Sequence, residues 1–186
     1  MLLDELKNIA RNNGIVGAGG AGFPAYAKMT EKADTVILNC VECEPLLKLH
    51  RQLLATHTEE IIQMLDEARE SFGAKEAVIG IKSEYVTTIK AIEEVIGDFP
   101  NVRICALKAA YPMGDEVVLI YEATGRVIKP GGLPIDENVV VYNVETMYNL
   151  YRAVHLNIPV TNKLVSIVGE IDHPLTVRVP LGTTVK

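Results

Sequence analysis

Apolar residues recur at helical spacing at the start of the chain and again in several later segments. The positions of Leu3, Leu6 and Ala10 predict an amphipathic first helix that ends near Gly14. The same spacing predicts further helices over residues 58–72, 85–96, 115–124 and 144–155. Gly73 and Gly125 directly follow two of these segments, as expected at helix C-termini.

Short and almost wholly apolar segments separate these helices, at residues 35–39, 76–82, 102–107 and 138–142. Strands that are buried on both faces are typical of a parallel sheet, and their alternation with helices indicates an α/β fold. Near the C-terminus the period changes to two, which predicts a β-hairpin from residues 164–170 and 175–179. We therefore expect a largely parallel, Rossmann-like α/β domain over residues 1–160, followed by a hairpin unit over residues 161–186.

Composition and charge narrow the class of protein. The chain is 48% hydrophobic and 23% charged, with a net charge of -6, which is ordinary for a globular protein but wrong for a nucleic-acid partner. No apolar run approaches the roughly 20 residues that a membrane helix needs. Asp4 and Glu5 stand where a signal peptide would carry basic residues. We expect a cytoplasmic protein without direct membrane insertion.

Three cysteines, an odd number, do not predict a disulfide framework. Cys40 and Cys43 have C-x-x-C spacing, and Cys105 stands alone in an apolar run. A zinc site completed by His50 and His57, or a redox pair, are open alternatives. We favour two small residues in a loop after a strand, and we expect no metal site.

The run Gly17-Ala-Gly19-Gly20-Ala-Gly22 satisfies the pattern G-x-G-x-x-G. The match to a dinucleotide-binding fingerprint is weak, because that fingerprint follows a strand and this run follows an amphipathic helix. Glycines nevertheless let a backbone present N–H groups to an anion. A helix expected to start at Pro24 would add its positive end, and Lys28 a charge. The run therefore indicates a phosphate-binding loop rather than a flexible linker.

Five motifs, in order, resemble those of the flavin- and NADH-binding subunit family of complex I. They are Gly17-Ala-Gly19-Gly20-Ala-Gly22-Phe23-Pro24 with Lys28, Asn39-Cys-Val-Glu42-Cys43-Glu44-Pro45-Leu-Leu-Lys48, Tyr111-Pro-Met-Gly114-Asp115-Glu116, Gly131-Gly132-Leu133-Pro134, and Tyr142-Asn143-Val144-Glu145-Thr146. The second and third are most similar to the branch that contains the C subunit of the Rnf complex and the cobalamin reductase of propanediol utilisation. Ala18 and Val41 depart from the complex I branch, which has Arg and Asp there, so no role is expected for those two side chains.

The resemblance implies bound FMN and NADH. The residues implied to hold FMN are Gly17, Gly19, Gly20, Gly22, Lys28, Asn39, Glu42 and Asn143. The turn with Tyr111 and Gly114 is implied to contact the flavin, and NADH is implied to bind near Phe23, Glu44, Asp115 and Glu116. No catalytic side chain is expected, because the cofactor carries hydride transfer. A 2′-phosphate would be repelled by the four acidic residues of these motifs, Glu42, Glu44, Asp115 and Glu116. This repulsion would favour NADH over NADPH. The alternatives are a solvated acidic loop and a Phe23 packed in the core.

The resemblance also implies an electron exit that this chain lacks. Family members bind iron-sulfur clusters with C-x-x-C-x-x-C runs near their C-termini, and no such run occurs here. Residues 164–186 resemble the opening hairpin of a β-grasp domain, so we expect an N-terminal portion of a longer protein.

The predicted function is an FMN-dependent NADH oxidoreductase module that passes electrons to iron-sulfur clusters or to a corrinoid, ferredoxin or another complex subunit. Its expected place is the cytoplasm, in a microcompartment or beside a membrane complex. The alternatives are a non-catalytic assembly fragment and a true Rossmann dehydrogenase, which would need a strand before Gly14.

Overall fold

The computed structural model describes residues 1–184, and its centre is a four-stranded parallel sheet. The strands are β1 (Thr35–Cys40), β2 (Glu76–Lys82), β3 (Val102–Leu107) and β4 (Val139–Asn143), in the order β3-β2-β1-β4. The chain runs outward from β1 to β3 and then crosses to the other side of β1, so the strand order reverses between β1 and β4. The predicted α/β fold with a parallel sheet is confirmed.

Helices cover both faces of the sheet. They are α1 (Leu3–Asn12), α2 (Ala25–Lys28), α3 (Leu49–Thr56), α4 (Thr58–Phe72), α5 (Val86–Val95), α6 (Glu116–Thr124) and α7 (Val144–Leu156). Side chains alternate along a strand, so Leu38 and Ile79 join the larger core with α1, α4 and α7. Ile37 and Val78 point the other way and pack against α6. Burial on both faces, predicted from the apolar runs, is therefore confirmed for β1, β2 and β4, whereas the edge strand β3 leaves Arg103 and Ala106 exposed.

Two expectations about the helices are wrong in detail. The apolar pattern predicted no helix between residues 40 and 57, but α3 lies there and leads directly into α4. The hydroxyl of Thr58, the first residue of α4, donates to the carbonyl oxygen of Leu54 at 2.7 Å and links the two helices. The helix after Pro24 is a single turn of four residues, too short for a substantial dipole.

The C-terminal segment is the predicted hairpin, formed by β5 (Asn162–Ile167) and β6 (Leu175–Pro180). Residues 185–186, which belong to the predicted hairpin unit, lie outside the described residues. The division of the chain into units 1–160 and 161–186 stays a prediction. Within residues 1–184, no helix combines the length and apolar character that crossing a membrane requires.

Candidate cofactor site

A cavity of about 200 Å³ lies under the glycine loop, at the carboxyl ends of β1 and β4. It is lined by Gly17, Gly19, Gly20, Ala21, Gly22, Phe23, Ala25, Lys28, Asn39, Glu116, Val141, Tyr142, Asn143 and Thr146. Open α/β sheets bind ligands at the strand ends where the strand order reverses. The position of this cavity, which we call the glycine-loop cavity, therefore marks it as the candidate site.

The glycine loop is closed by a short antiparallel stem. The N–H of Gly17 donates to the carbonyl oxygen of Phe23 at 2.8 Å, and Val16 pairs with Pro24. Above the stem, Gly22 has a φ of 72°, which favours glycine. Among residues 1–184, no acceptor is hydrogen-bonded to the N–H of Gly19 or Gly20. These two adjacent donors can therefore serve an anion.

Gly19 approaches Asn143 so closely that no side chain fits. A Cβ atom at Gly19 would lie 2.6 Å from Nδ2 of Asn143. Asn143 is itself fixed, because its Oδ1 accepts from the N–H of Glu145 at 2.9 Å and caps α7. Its Nδ2 lies 3.1 and 3.3 Å from the two ring nitrogens of His50. Burial, together with the charge of Lys163, lowers the pKa of His50 to about 4, so this imidazole is neutral at pH 7.

Two further predicted residues, Lys28 and Glu116, line the same cavity. Lys28 forms an ion pair with Glu116, with 3.3 Å between Nζ and Oε1, and its Nζ lies 3.5 Å from the carbonyl oxygen of Val141. Both side chains are partly exposed. Asn39 lines the cavity too, but its amide bonds to protein at both ends, donating to Gly114 and accepting from the N–H of Val41.

A second cavity of about 330 Å³, the charged cavity, is lined by Glu42, Cys43, Glu44, Pro45, Leu47, Arg51, Lys82, Glu84, Tyr85, Ala109, Ala110 and Tyr111. The side chain of Glu42 is 2% exposed, with Oε2 3.7 Å from Nε of Arg51. Within the described chain, Oε2 has no hydrogen-bond partner. Burial raises the pKa of Glu42, although the backbone N–H of His50 and the charge of Arg51 oppose the shift.

The turn at Gly114 docks onto the segment after β1. The N–H of Gly114 approaches Sγ of Cys43 at 3.1 Å, and its carbonyl oxygen accepts from Asn39 at 3.0 Å. A Cβ atom here would overlap the carbonyl oxygen of Val41. Cys40 is buried in the core, and Cys43 contacts the Gly114 turn. Both thiols of the C-x-x-C pair therefore take part in packing within the fold. In residues 1–184, no three Cys, His, Asp or Glu side chains are grouped as a metal site.

The structure distributes the predicted site residues over both cavities. Those that line the glycine-loop cavity are Gly17, Gly19, Gly20, Gly22, Phe23, Lys28, Asn39, Glu116 and Asn143. Glu42, Glu44 and Tyr111 line the charged cavity, and Gly114 is bonded to one residue from each. Asp115 instead caps α6, accepting from the N–H groups of the next turn at 3.0 and 3.2 Å.

Two interpretations of these residues change. The four acids do not share one pocket, because Glu42 is buried beside Arg51 and Asp115 is a helix cap. Fewer than four of them can therefore repel the 2′-phosphate of NADPH. The side chain of Phe23 is 52% exposed, so its interpretation as core packing is wrong.

Sequence reasoning missed three side chains around the loop. Thr146 accepts from the N–H of Ala18, His50 contacts Asn143, and Lys163 donates to the carbonyl oxygen of Ala18. Thr146 follows Asn143 in a quoted motif, which was a usable signal. No local pattern distinguished Lys163.

Residues 10–152 match the sequence model of the family described as the Nuo51 FMN-binding domain. The chain belongs to this family. It is 39% identical over 183 residues to the cobalamin reductase PduS of Salmonella typhimurium, covering 98% of this chain and 40% of that protein. It is 33% identical over 184 residues to the C subunit of the Na(+)-translocating ferredoxin:NAD(+) oxidoreductase complex of Acetobacterium woodii, covering 96% and 42%. The resemblance inferred from the five motifs is thus confirmed.

The fold is shared with a solved NAD+-reducing NiFe hydrogenase in its H2-reduced state. The TM-score is 0.79 at 23% sequence identity, covering 97% of this chain and 37% of that chain. The chain spans about two fifths of the length of the curated relatives it matches. These relatives are oxidoreductases by name, and the part of them that this chain matches contains the FMN-binding domain.

Proposed function

We propose that this chain is the flavin- and NADH-binding module of an NADH:acceptor oxidoreductase, with FMN in the glycine-loop cavity. The observation that carries the proposal is the pair of unbonded N–H groups at Gly19 and Gly20, over the strand ends where the sheet order reverses. Bound FMN would supply the redox chemistry, taking up hydride from NADH and releasing electrons to an acceptor.

The residues present fit an anionic, planar cofactor. The N–H groups of Gly19 and Gly20 suit a phosphate, and Lys28, which is ion-paired with Glu116, places its ammonium group in the same cavity. Because Gly19 has no side chain, the gap between the loop and Asn143 stays narrow without a clash. The neutral His50 behind Asn143 adds no charge to the site at pH 7.

Phe23 gives a place for the second ligand. Its ring lines the cavity and is half exposed, so it offers an apolar surface on which a planar ring can stack. We assign to Phe23 the orientation of the NADH ring system, and to the Lys28–Glu116 pair the polar wall opposite the loop. Glu44 and Glu116 are the predicted acids that are at least partly exposed and do not cap a helix, and we expect them to disfavour the 2′-phosphate of NADPH.

The electron acceptor belongs to the same proposal. The longer relatives extend well beyond this chain, and their names mention cobalamin and ferredoxin. We propose that electrons leave through iron-sulfur clusters in such an extension, toward a corrinoid, a ferredoxin or another subunit. The protein would act in the cytoplasm, in a microcompartment or at the side of a membrane complex.

Anaerobic reduction tests the proposal. The protein is loaded with FMN, excess flavin is removed, and absorbance of the flavin band is followed after addition of NADH or NADPH. We expect rapid bleaching by NADH and slower bleaching by NADPH. A loaded protein that NADH does not bleach would contradict the hydride-accepting role. A folded protein that binds no FMN would favour the non-catalytic assembly fragment.

A further inference from the structure

Ala18, within the glycine loop, has both its backbone N–H and its backbone carbonyl held by side chains from the C-terminal part of the chain. Its N–H donates to Oγ1 of Thr146 at 2.9 Å. Its carbonyl oxygen accepts from Nζ of Lys163 at 2.7 Å. Thr146 lies in the first turn of α7 and Lys163 in strand β5, so the hairpin reaches across to the loop.

The ammonium of Lys163 is held in place by a buried carboxylate. Its Nζ lies 2.9 Å from Oε2 of Glu145, whose side chain is only 4% exposed. The other oxygen of Glu145 accepts from the N–H of Leu164 at 3.4 Å. A buried carboxylate requires such a partner, so Glu145 fixes the position from which Lys163 contacts the loop.

Holding the Ala18 carbonyl also determines the direction of the Gly19 N–H. The two groups belong to one planar peptide unit, and the bond between them is trans, so they point in opposite directions. When Lys163 binds the oxygen on one side, the Gly19 N–H is turned to the other. This N–H has no hydrogen-bond partner in residues 1–184. The positive charge of the Lys163 ammonium beside this carbonyl oxygen also polarises the peptide, which strengthens the Gly19 N–H as a hydrogen-bond donor.

We propose that Lys163 is a positioning residue for the flavin site, aiming the Gly19 N–H at the cofactor phosphate and coupling the hairpin to FMN affinity. The proposal rests on the proposed function, because it takes FMN as the ligand of the glycine-loop cavity. Lys163 lies outside residues 10–152, which match the FMN-binding family, so membership of that family does not assign this role.

The test compares FMN dissociation constants of single and double variants. Loss of one charged hydrogen bond predicts that Lys163→Met weakens FMN binding about tenfold, and that Lys163→Arg restores most of the affinity. Lys163→Met also leaves Glu145 buried and unpaired, which destabilises the fold. The double variant Lys163→Met/Glu145→Gln removes that charge. We expect it to recover thermal stability while FMN binding stays about tenfold weaker. If affinity returns together with stability, Lys163 is only structural and the proposal fails.

The matched control is Arg178→Met, which removes an exposed cation from the partner strand of the same hairpin. We expect its FMN affinity to equal that of the unmodified chain; an equal loss would point to general charge and contradict the proposal. The amide NMR signal of Gly19, recorded without FMN, gives an independent readout. It should shift in the Lys163→Met variants and not in Arg178→Met. If the unmodified chain binds no FMN, the proposed function fails, while this signal still reports whether Lys163 orients the loop.

Discussion

The two cavities at the carboxyl edge of the sheet differ in the chemical groups that line them. Backbone groups dominate the glycine-loop cavity, where the N–H groups of Gly19 and Gly20 have no acceptor in residues 1–184. Charged side chains are prominent in the other cavity, where Arg51 lies beside the Glu42 carboxylate and Lys82 donates to the backbone carbonyl oxygen of Glu42. The first cavity thus keeps its donors for a ligand, whereas the second uses most of its charges internally. This difference is why we place the flavin phosphate in the first.

The largest effect is expected from a side chain placed at Gly19. Gly19→Val should reduce FMN affinity by about 100-fold or more, because its Cβ would lie 2.6 Å from Nδ2 of Asn143 and displace either the loop or that amide. Gly97→Val is the matched control, since Gly97 lies outside the cavity and a Cβ there meets nothing within 4 Å in the described chain. Quenching of FMN fluorescence measures both. Equal affinities for the two variants would contradict the placement of FMN under the loop.

The next effect concerns the wall between the cavities. Gly114→Ala should lower the free energy of unfolding by about 1–3 kcal/mol, because its Cβ would overlap the Val41 carbonyl and approach Sγ of Cys43 at 2.7 Å. Gly97→Ala, whose Cβ meets nothing within 4 Å among residues 1–184, should be neutral. Urea unfolding distinguishes them. A stable Gly114→Ala variant would show that this turn is not tightly docked.

A pH-dependent effect is expected in the charged cavity. Burial raises the pKa of Glu42, so the native state binds its proton more tightly than the unfolded state. Stability is therefore lost as the pH rises from the ordinary Glu range through the raised pKa. Glu42→Gln removes this loss, so it should be the more stable protein at pH 8 and lose that advantage toward pH 4. Thermal unfolding across this range measures the difference. Greater stability of the unmodified chain at pH 8 would mean that the Arg51 pair outweighs burial.

The smallest effect is expected at the mouth of the glycine-loop cavity. Phe23→Ala should raise the KM for NADH by a few-fold to about tenfold, the value of one aromatic contact. Its free energy of unfolding should change by less than about 0.5 kcal/mol, because the side chain is half exposed. Phe23→Tyr should keep the KM. A large loss of stability without a change in KM would mean that Phe23 packs in the core and does not contact NADH.

The parallel sheet and its loop were predictable because both are encoded locally. Apolar runs such as residues 35–40 are long enough to indicate buried strands. The glycines of residues 17–22 are close together in the sequence, so they indicate a loop without information from distant residues. Helix α3 was missed because it has eight residues with only two buried positions, Leu53 and Leu54. Asp115 was assigned to a ligand, although a carboxylate before a helix is also an N-cap signal. The local sequence favoured neither role.

The contacts that orient the loop could not be predicted from the sequence. Lys163 and Ala18 are 145 positions apart. A lysine at a polar position of an alternating strand has the same sequence pattern whether it points into solvent or contacts a distant loop. The prediction that the four acids share one pocket was wrong for the same reason. Their positions in the sequence motifs do not determine which cavity each side chain faces.

The most direct test locates FMN on the chain by amide NMR during a titration. We expect the largest signal changes on residues 17–22 and 143–146, around the glycine-loop cavity. Changes concentrated on residues 42–45, 82–85 and 109–111 would place the flavin in the charged cavity and contradict the central claim.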